Sequence, residues 1–146
     1  KLNLISKSGE RSVCLKDFYT GYKKNVLKKG ELIKSIEIKY DKSFKPFYKK
    51  VSSRKSLAIA KVSFCGLIKR ENGKISAVTA AVGSLNEYPR RLFELEKYLL
   101  TNNITDSGLH EALKKEITPI TDLRSDAQYR YQVCFNIVKL FLEETK

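Results

Sequence analysis

The chain has 146 residues, 42% of them hydrophobic, which is enough for an ordinary buried core and excludes a disordered or low-complexity segment. Its formal charge is +13, and 22 of the 29 Lys and Arg are lysines scattered in pairs such as Lys23-Lys24, Lys49-Lys50 and Lys114-Lys115. That spread describes a solvated surface better than a nucleic-acid arm, which relies on clustered arginines, and no apolar run approaches the roughly 18 residues of a membrane span.

Leu2 to Ile5 and Ser12 to Leu15 read as two short strands around the turn Lys7-Ser8-Gly9-Glu10. Asp17 is placed to cap a short helical turn holding Phe18 and Tyr19. Gly21 and Gly30 bound a lysine-rich connection. Glu31 to Tyr40 alternates, with Leu32, Ile36 and Ile38 against Lys34, Glu37 and Lys39, and predicts a strand that Lys45-Pro46 breaks. Phe47 to Val51 is another strand, followed by a polar loop, Ser52 to Ser56. Lys61 to Arg70 and Lys74 to Ser84 flank Asn72-Gly73, the preferred pair for a tight hairpin. Helices follow. One starts at Pro89 and carries Leu92, Leu95 and Leu99; one is capped by Thr105 with Leu109, Ala112 and Leu113 inward; Pro119 ends that region. The last runs from about Asp126 to Glu144 with a stripe of Val133, Cys134, Ile137, Val138 and Phe141. Strands first and helices afterwards predict an α+β fold, an antiparallel sheet covered by C-terminal helices. Length points to a single domain, 1–146.

No catalytic constellation is visible. The glycines are dispersed, so neither phosphate-loop pattern occurs. Cys14, Cys65 and Cys134 make no metal pair and read as buried, reduced, inert thiols of a cytoplasmic protein. His110, the single histidine, lies in a polar helical stretch and reads as solvated. Two features stand out. The run Lys49-Lys50-Val51-Ser52-Ser53-Arg54-Lys55 is cationic and rich in hydroxyls, suited to an anionic or polar ligand edge and equally to a solvated turn. The small residues Ala80, Ala81, Gly83 and Ser84 allow close approach to the sheet, more often by a helix than by a ligand. Arg130 falls on the apolar stripe of the last helix, so its guanidinium is expected to be partly buried and paired with Asp126 or Asp122, the alternative being contact with a cofactor or a neighbouring subunit.

Five blocks, in order, resemble the flavin subunits of molybdenum hydroxylases of the xanthine and carbon-monoxide dehydrogenase kind. They are Arg11 to Gly21, Gly30 to Ile38, Lys50-Val-Ser-Ser-Arg54 with Ile59 to Ser63, Pro89-Arg-Arg91, and Pro119-Ile-Thr-Asp-Leu-Arg-Ser-Asp-Ala-Gln-Tyr-Arg130. The last resembles a P-x-x-D-x-R-x-S-A-x-Y-R pattern and is the most specific.

The resemblance implies the C-terminal domain of an FAD-binding oxidoreductase subunit that relays electrons from iron–sulfur clusters through FAD to an acceptor, with NAD as one candidate. It implies partner subunits holding [2Fe–2S] clusters and a molybdenum cofactor, and an N-terminal FAD-binding domain of the same subunit that is absent from this chain. It implies a wall over the flavin ring. Lys50 matches the lysine of a K-x-x-x-R loop near the ring. Ile33 matches an apolar residue packed by it. Ala58 matches a position that is tyrosine in some relatives and aspartate in others, and Lys39 stands where many have proline. The absence of Met and the start at Lys1 fit the expectation of a piece of a longer polypeptide, inactive alone. The alternative is a non-catalytic basic module that binds nucleic acid or an acidic protein.

Overall fold

Asn72 and Gly73 adopt φ values of 52° and 76°, the paired left-handed geometry of a two-residue hairpin turn. They join the two longest strands of the chain. The computed structural model describes residues 1–146, and the chain forms two compact units, Lys1–Asp41 and Lys42–Lys146. Each unit has its own hydrophobic cluster.

In the first unit β1 (Leu2–Ser6) and β2 (Gly9–Val13) form the expected hairpin, and β5 (Leu32–Ile36) pairs with β1 on its other side, giving the antiparallel order β2-β1-β5. Leu2, Leu4 and Phe18 are its buried core, with Val13, Val26 and Leu27 packed around them. The lysine-rich connection is a small hairpin of β3 (Tyr19–Gly21) and β4 (Lys24–Asn25), turned at Lys23 with φ 55°. Asp17 does not cap a helix: the single 3-10 turn spans Leu15–Asp17, so Asp17 is its last residue and no side chain caps it. The strand predicted over Glu31 to Tyr40 ends at Ile36, and all five of its residues are exposed.

In the second unit β6 (Lys45–Ser52), β7 (Ala60–Glu71), β8 (Lys74–Gly83) and β9 (Arg90–Arg91) form an antiparallel sheet in that order. The strand predicted to break at Lys45-Pro46 has ended before it, and Pro46 is the second residue of β6, an edge strand, where proline is tolerated. On β7 Val62, Phe64, Gly66 and Ile68 point to the buried face, and on β8 Ile75, Val78, Ala80 and Val82 do. Over that face lie α1 (Phe93–Leu100), α2 (Asp106–Lys114) and α3 (Ala127–Glu144), with α1 against β8 and α3 against β7. The architecture is α+β, as the order of strands and helices predicts.

The expected Thr105 cap forms: its Oγ1 accepts from the Gly108 amide at 3.1 Å. Asp126, expected only as the start of the last helix, also caps it, with Oδ1 accepting from the Tyr129 amide at 2.7 Å. The first helix starts later than Pro89, at Phe93, because Arg90 and Arg91 extend the sheet as β9. Ala80 is the point of close approach. Its carbonyl accepts from the Leu92 amide at 2.8 Å, and its own amide donates to Glu96 Oε1 at 2.8 Å. Buried Glu96 is in turn held by Arg91 through two bonds of 2.8 and 2.9 Å. The visitor at the small residues is therefore a helix.

Two further expectations change. His110 is half-buried, its ring stacked on Phe135 at 3.8 Å between centroids, with Nδ1 2.9 Å from the Tyr131 hydroxyl. Of the cysteines only Cys134 is buried, and burial pushes its thiol up to about 12; Cys14 and Cys65 are exposed.

Candidate functional site

The β6–β7 connection is polar in sequence, and its own side chains satisfy its carbonyls. Arg54 donates twice to the Leu57 carbonyl, from Nη2 at 2.6 Å and Nε at 3.2 Å. The Ser52 hydroxyl donates to the Arg54 carbonyl at 2.8 Å. Lys50 Nζ reaches back from β6 to the Ala58 carbonyl at 3.0 Å. These bonds hold Leu57 in a left-handed conformation, φ 48°, that a branched side chain rarely adopts. Its side chain is 92% exposed.

Opposite this loop, residues 121–126 make a second built turn. Asp122 and Ser125 pair as an isolated bridge, and Asp122 Oδ1 accepts from the Arg124 amide at 2.8 Å and the Ser125 amide at 3.2 Å. The Arg124 amide and then the Arg130 guanidinium hold the Asp122 carboxyl below the usual carboxylate range. Leu123 stands at the tip, wholly exposed.

Between the two turns lies an open concavity of about 420 Å³, lined by Leu57, Ala58, Ile59 and Leu123 on its apolar side and by Arg54, Lys61 and Arg124 among its cations. Bared leucines are costly in water, and here they flank guanidinium and ammonium groups. Such a surface suits a flat, partly apolar group with anionic character at its edge. An adjoining open groove runs along Lys50 to Lys55.

Of the residues singled out from sequence, Lys50 and Ala58 meet through the hydrogen bond that closes the loop, and Ala58 lines the concavity. Lys50 shares the face of Tyr48, while Lys49 falls on that of buried Phe47, by strand alternation. Ile33 belongs to the first unit, on β5, 45% exposed. Sequence reading missed Leu57, Lys61, Leu123 and Arg124. The available signal was an apolar residue inside each polar turn, Leu57 after Arg54-Lys55-Ser56 and Leu123 between Asp122 and Arg124. No group of three His, Cys, Asp or Glu side chains converges as a metal site.

The second unit is thus an antiparallel sheet under three helices, with a basic, partly apolar concavity between two hydrogen-bonded turns. Residues 47–145 match the family described as the CO dehydrogenase flavoprotein C-terminal domain, and the chain belongs to that family. It is 33% identical over 134 residues to the glyceraldehyde dehydrogenase medium chain of Sulfolobus acidocaldarius, covering 89% of this chain and 47% of that protein. It is 30% identical over 89 residues to xanthine dehydrogenase/oxidase of Gallus gallus, covering 58% of this chain and 7% of that protein. Its fold matches that of a reconstituted CO dehydrogenase from Oligotropha carboxidovorans with a TM-score of 0.88 at 20% identity. That match takes in 99% of this chain and 51% of the other. Quinoline 2-oxidoreductase from Pseudomonas putida 86 matches with a TM-score of 0.84 at 20% identity and the same coverage. The chain thus spans about half the length of the medium-chain relative and of these structures.

Proposed function

We propose that this chain is the flavin-ring wall of an FAD-carrying subunit in a molybdenum hydroxylase. In that reading the subunit takes electrons from [2Fe–2S] clusters, fed by a molybdenum centre in a partner subunit, and delivers them to an acceptor, in the cytoplasm. The observation that carries the proposal is the concavity at residues 54–61 and 123–124, which lies within the matched family domain.

The residues present fit one part of FAD and not another. Leu57, Ala58, Ile59 and Leu123 offer apolar contact to a flat ring system, and Arg54, Lys61 and Arg124 suit its polar edge. Nothing in the chain cradles a pyrophosphate, since the seven glycines are dispersed and form no phosphate loop. The phosphates are therefore assigned to another part of the longer polypeptide. FAD, when bound, supplies the redox chemistry.

This chain's contribution is position and field. Lys50 fixes the loop through the Ala58 carbonyl and keeps a cation beside it. Cations of this kind favour negative charge that accumulates nearby on reduction. Ala58 leaves room where a larger side chain would narrow access. Ile33 supplies apolar surface in the first unit.

The test is the flavin midpoint potential of the full-length subunit. Lys50→Met removes the ammonium and should make the potential more negative by tens of millivolts, as expected for about 1 kcal/mol of lost charge stabilisation. Lys49→Met, on the opposite face, should leave it within error. Equal shifts from both would mean that bulk charge acts, and would remove Lys50 from the site.

A further inference from the structure

Arg130 is the largest fully buried side chain of the molecule, 1% exposed, and nothing in the proposed chemistry uses it. Its guanidinium is bound at three places. Nη1 donates to the Lys61 carbonyl at 2.7 Å and also to the Ser84 carbonyl, and Nη2 donates to Asp122 Oδ1 at 2.7 Å. Nε has no partner. Each anchor belongs to a different segment: Lys61 to the start of β7, Ser84 to the residue after β8, and Asp122 to the exposed turn.

Two of those anchors are the rims of the concavity. Lys61 lines it directly, and Asp122 precedes the lining residues Leu123 and Arg124. The third anchor, Ser84, is itself in the left-handed region with φ 64°, a conformation that needs external support. Burying a guanidinium with an unsatisfied Nε is expensive, and a fold that needed only packing here would be served by an apolar side chain. The fork geometry of arginine is what the site uses: two carbonyls and one carboxylate from three segments, held by one planar group.

We propose that Arg130 is a positioning residue that sets the separation and orientation of the two rims, so that Leu57–Lys61 and Leu123–Arg124 face a ligand as one preformed wall. The claim of positioning stands on geometry; the identity of the ligand rests on the flavin reading above.

The experiment compares Arg130→Met, Arg130→Lys and Asp122→Asn in the full-length, flavin-loaded subunit, with two readouts. Amide hydrogen exchange at Arg124 and Ser125 reports the turn. The visible circular dichroism of bound flavin reports the wall. Arg130→Met should speed exchange at both amides about tenfold or more, the factor that loss of a charge-assisted hydrogen bond carries, and should change the flavin band. Arg130→Lys should not rescue it, because one nitrogen cannot fill both Nη positions, and this variant carries the same prediction if Arg130→Met fails to fold. Asp122→Asn keeps an oxygen for the two amides and should fall between. Unchanged exchange in a folded Arg130→Lys protein would overturn the positioning role. Faster exchange with an unchanged flavin band would keep the brace and overturn the flavin-facing assignment of the concavity.

Discussion

Arg11 and Glu31 form the best-made ion pair of the first unit. Arg11 donates from Nε and Nη2 to the two Glu31 carboxylate oxygens at 2.7 and 2.8 Å, and also from Nη2 to the Val26 carbonyl at 2.8 Å. The Arg11 bond first, then the Lys28 amide, lower the Glu31 carboxyl to about 2. A depressed carboxylate stabilises the fold fully above its unfolded pKa, about 4.3. That contribution is lost as pH falls through the folded value. The first unit should therefore weaken progressively from about pH 5 towards pH 2, and Arg11→Met should make that slope clearly shallower. Urea midpoints followed by tyrosine near-ultraviolet dichroism across this range would check it; an unaltered slope in Arg11→Met would contradict it. At this scale the sequence was legible where the partner is local. Thr105 caps its helix because the amide it serves lies three residues on. Arg130 was legible as buried, and of its two candidate partners Asp122 is the one used. His110 was not legible, since Tyr131 and Phe135 reach it only when α3 packs beside α2. Asp17 failed because the turn starts at Leu15, too early for it to cap.

The contact between β7 and α3 depends on one missing side chain. A Cβ on Gly66 would lie 2.7 Å from Phe141 Cε2, inside any tolerable contact. Phe141 itself is fully buried and meets Phe47 and Phe64 at 5.4 and 5.3 Å between ring centroids. Gly66→Ala should then cost roughly 1–3 kcal/mol by overpacking, despite the better strand propensity of a residue with a side chain. Urea unfolding should show a lower midpoint with an unchanged slope; a variant as stable as the parent would mean that α3 shifts freely. The hairpin over Asn72-Gly73 was legible because turn chemistry and β-branched flanks agree. The alternation in β5 correctly gave a strand but not its burial: Leu32, Ile33 and Ile36 are 70%, 45% and 65% exposed, and a pattern of period two identifies faces without saying what covers them. The strand after the break starts at Lys45 rather than Phe47, because a proline is tolerated on an edge strand.

For the whole molecule, the order of elements carried the fold class, because strands precede helices along the chain. The concavity was half legible. The cationic run from Lys49 to Lys55 pointed to one rim, and the other is supplied by a turn some sixty residues later that only tertiary packing brings opposite. In the proposed function this wall serves a flavin whose phosphates are held elsewhere in the same polypeptide. Ring contacts alone must offset the estimated 4–15 kcal/mol of lost translational and rotational freedom. Isothermal titration with FAD, run in parallel on the 146-residue chain and on the whole flavin subunit proposed to carry it, separates ring contacts from phosphate contacts. The expectation is equimolar, tight FAD in the full-length protein and binding weaker than about micromolar by the chain alone. A full-length protein that binds no FAD, or an isolated chain that binds it with sub-micromolar affinity, would contradict it.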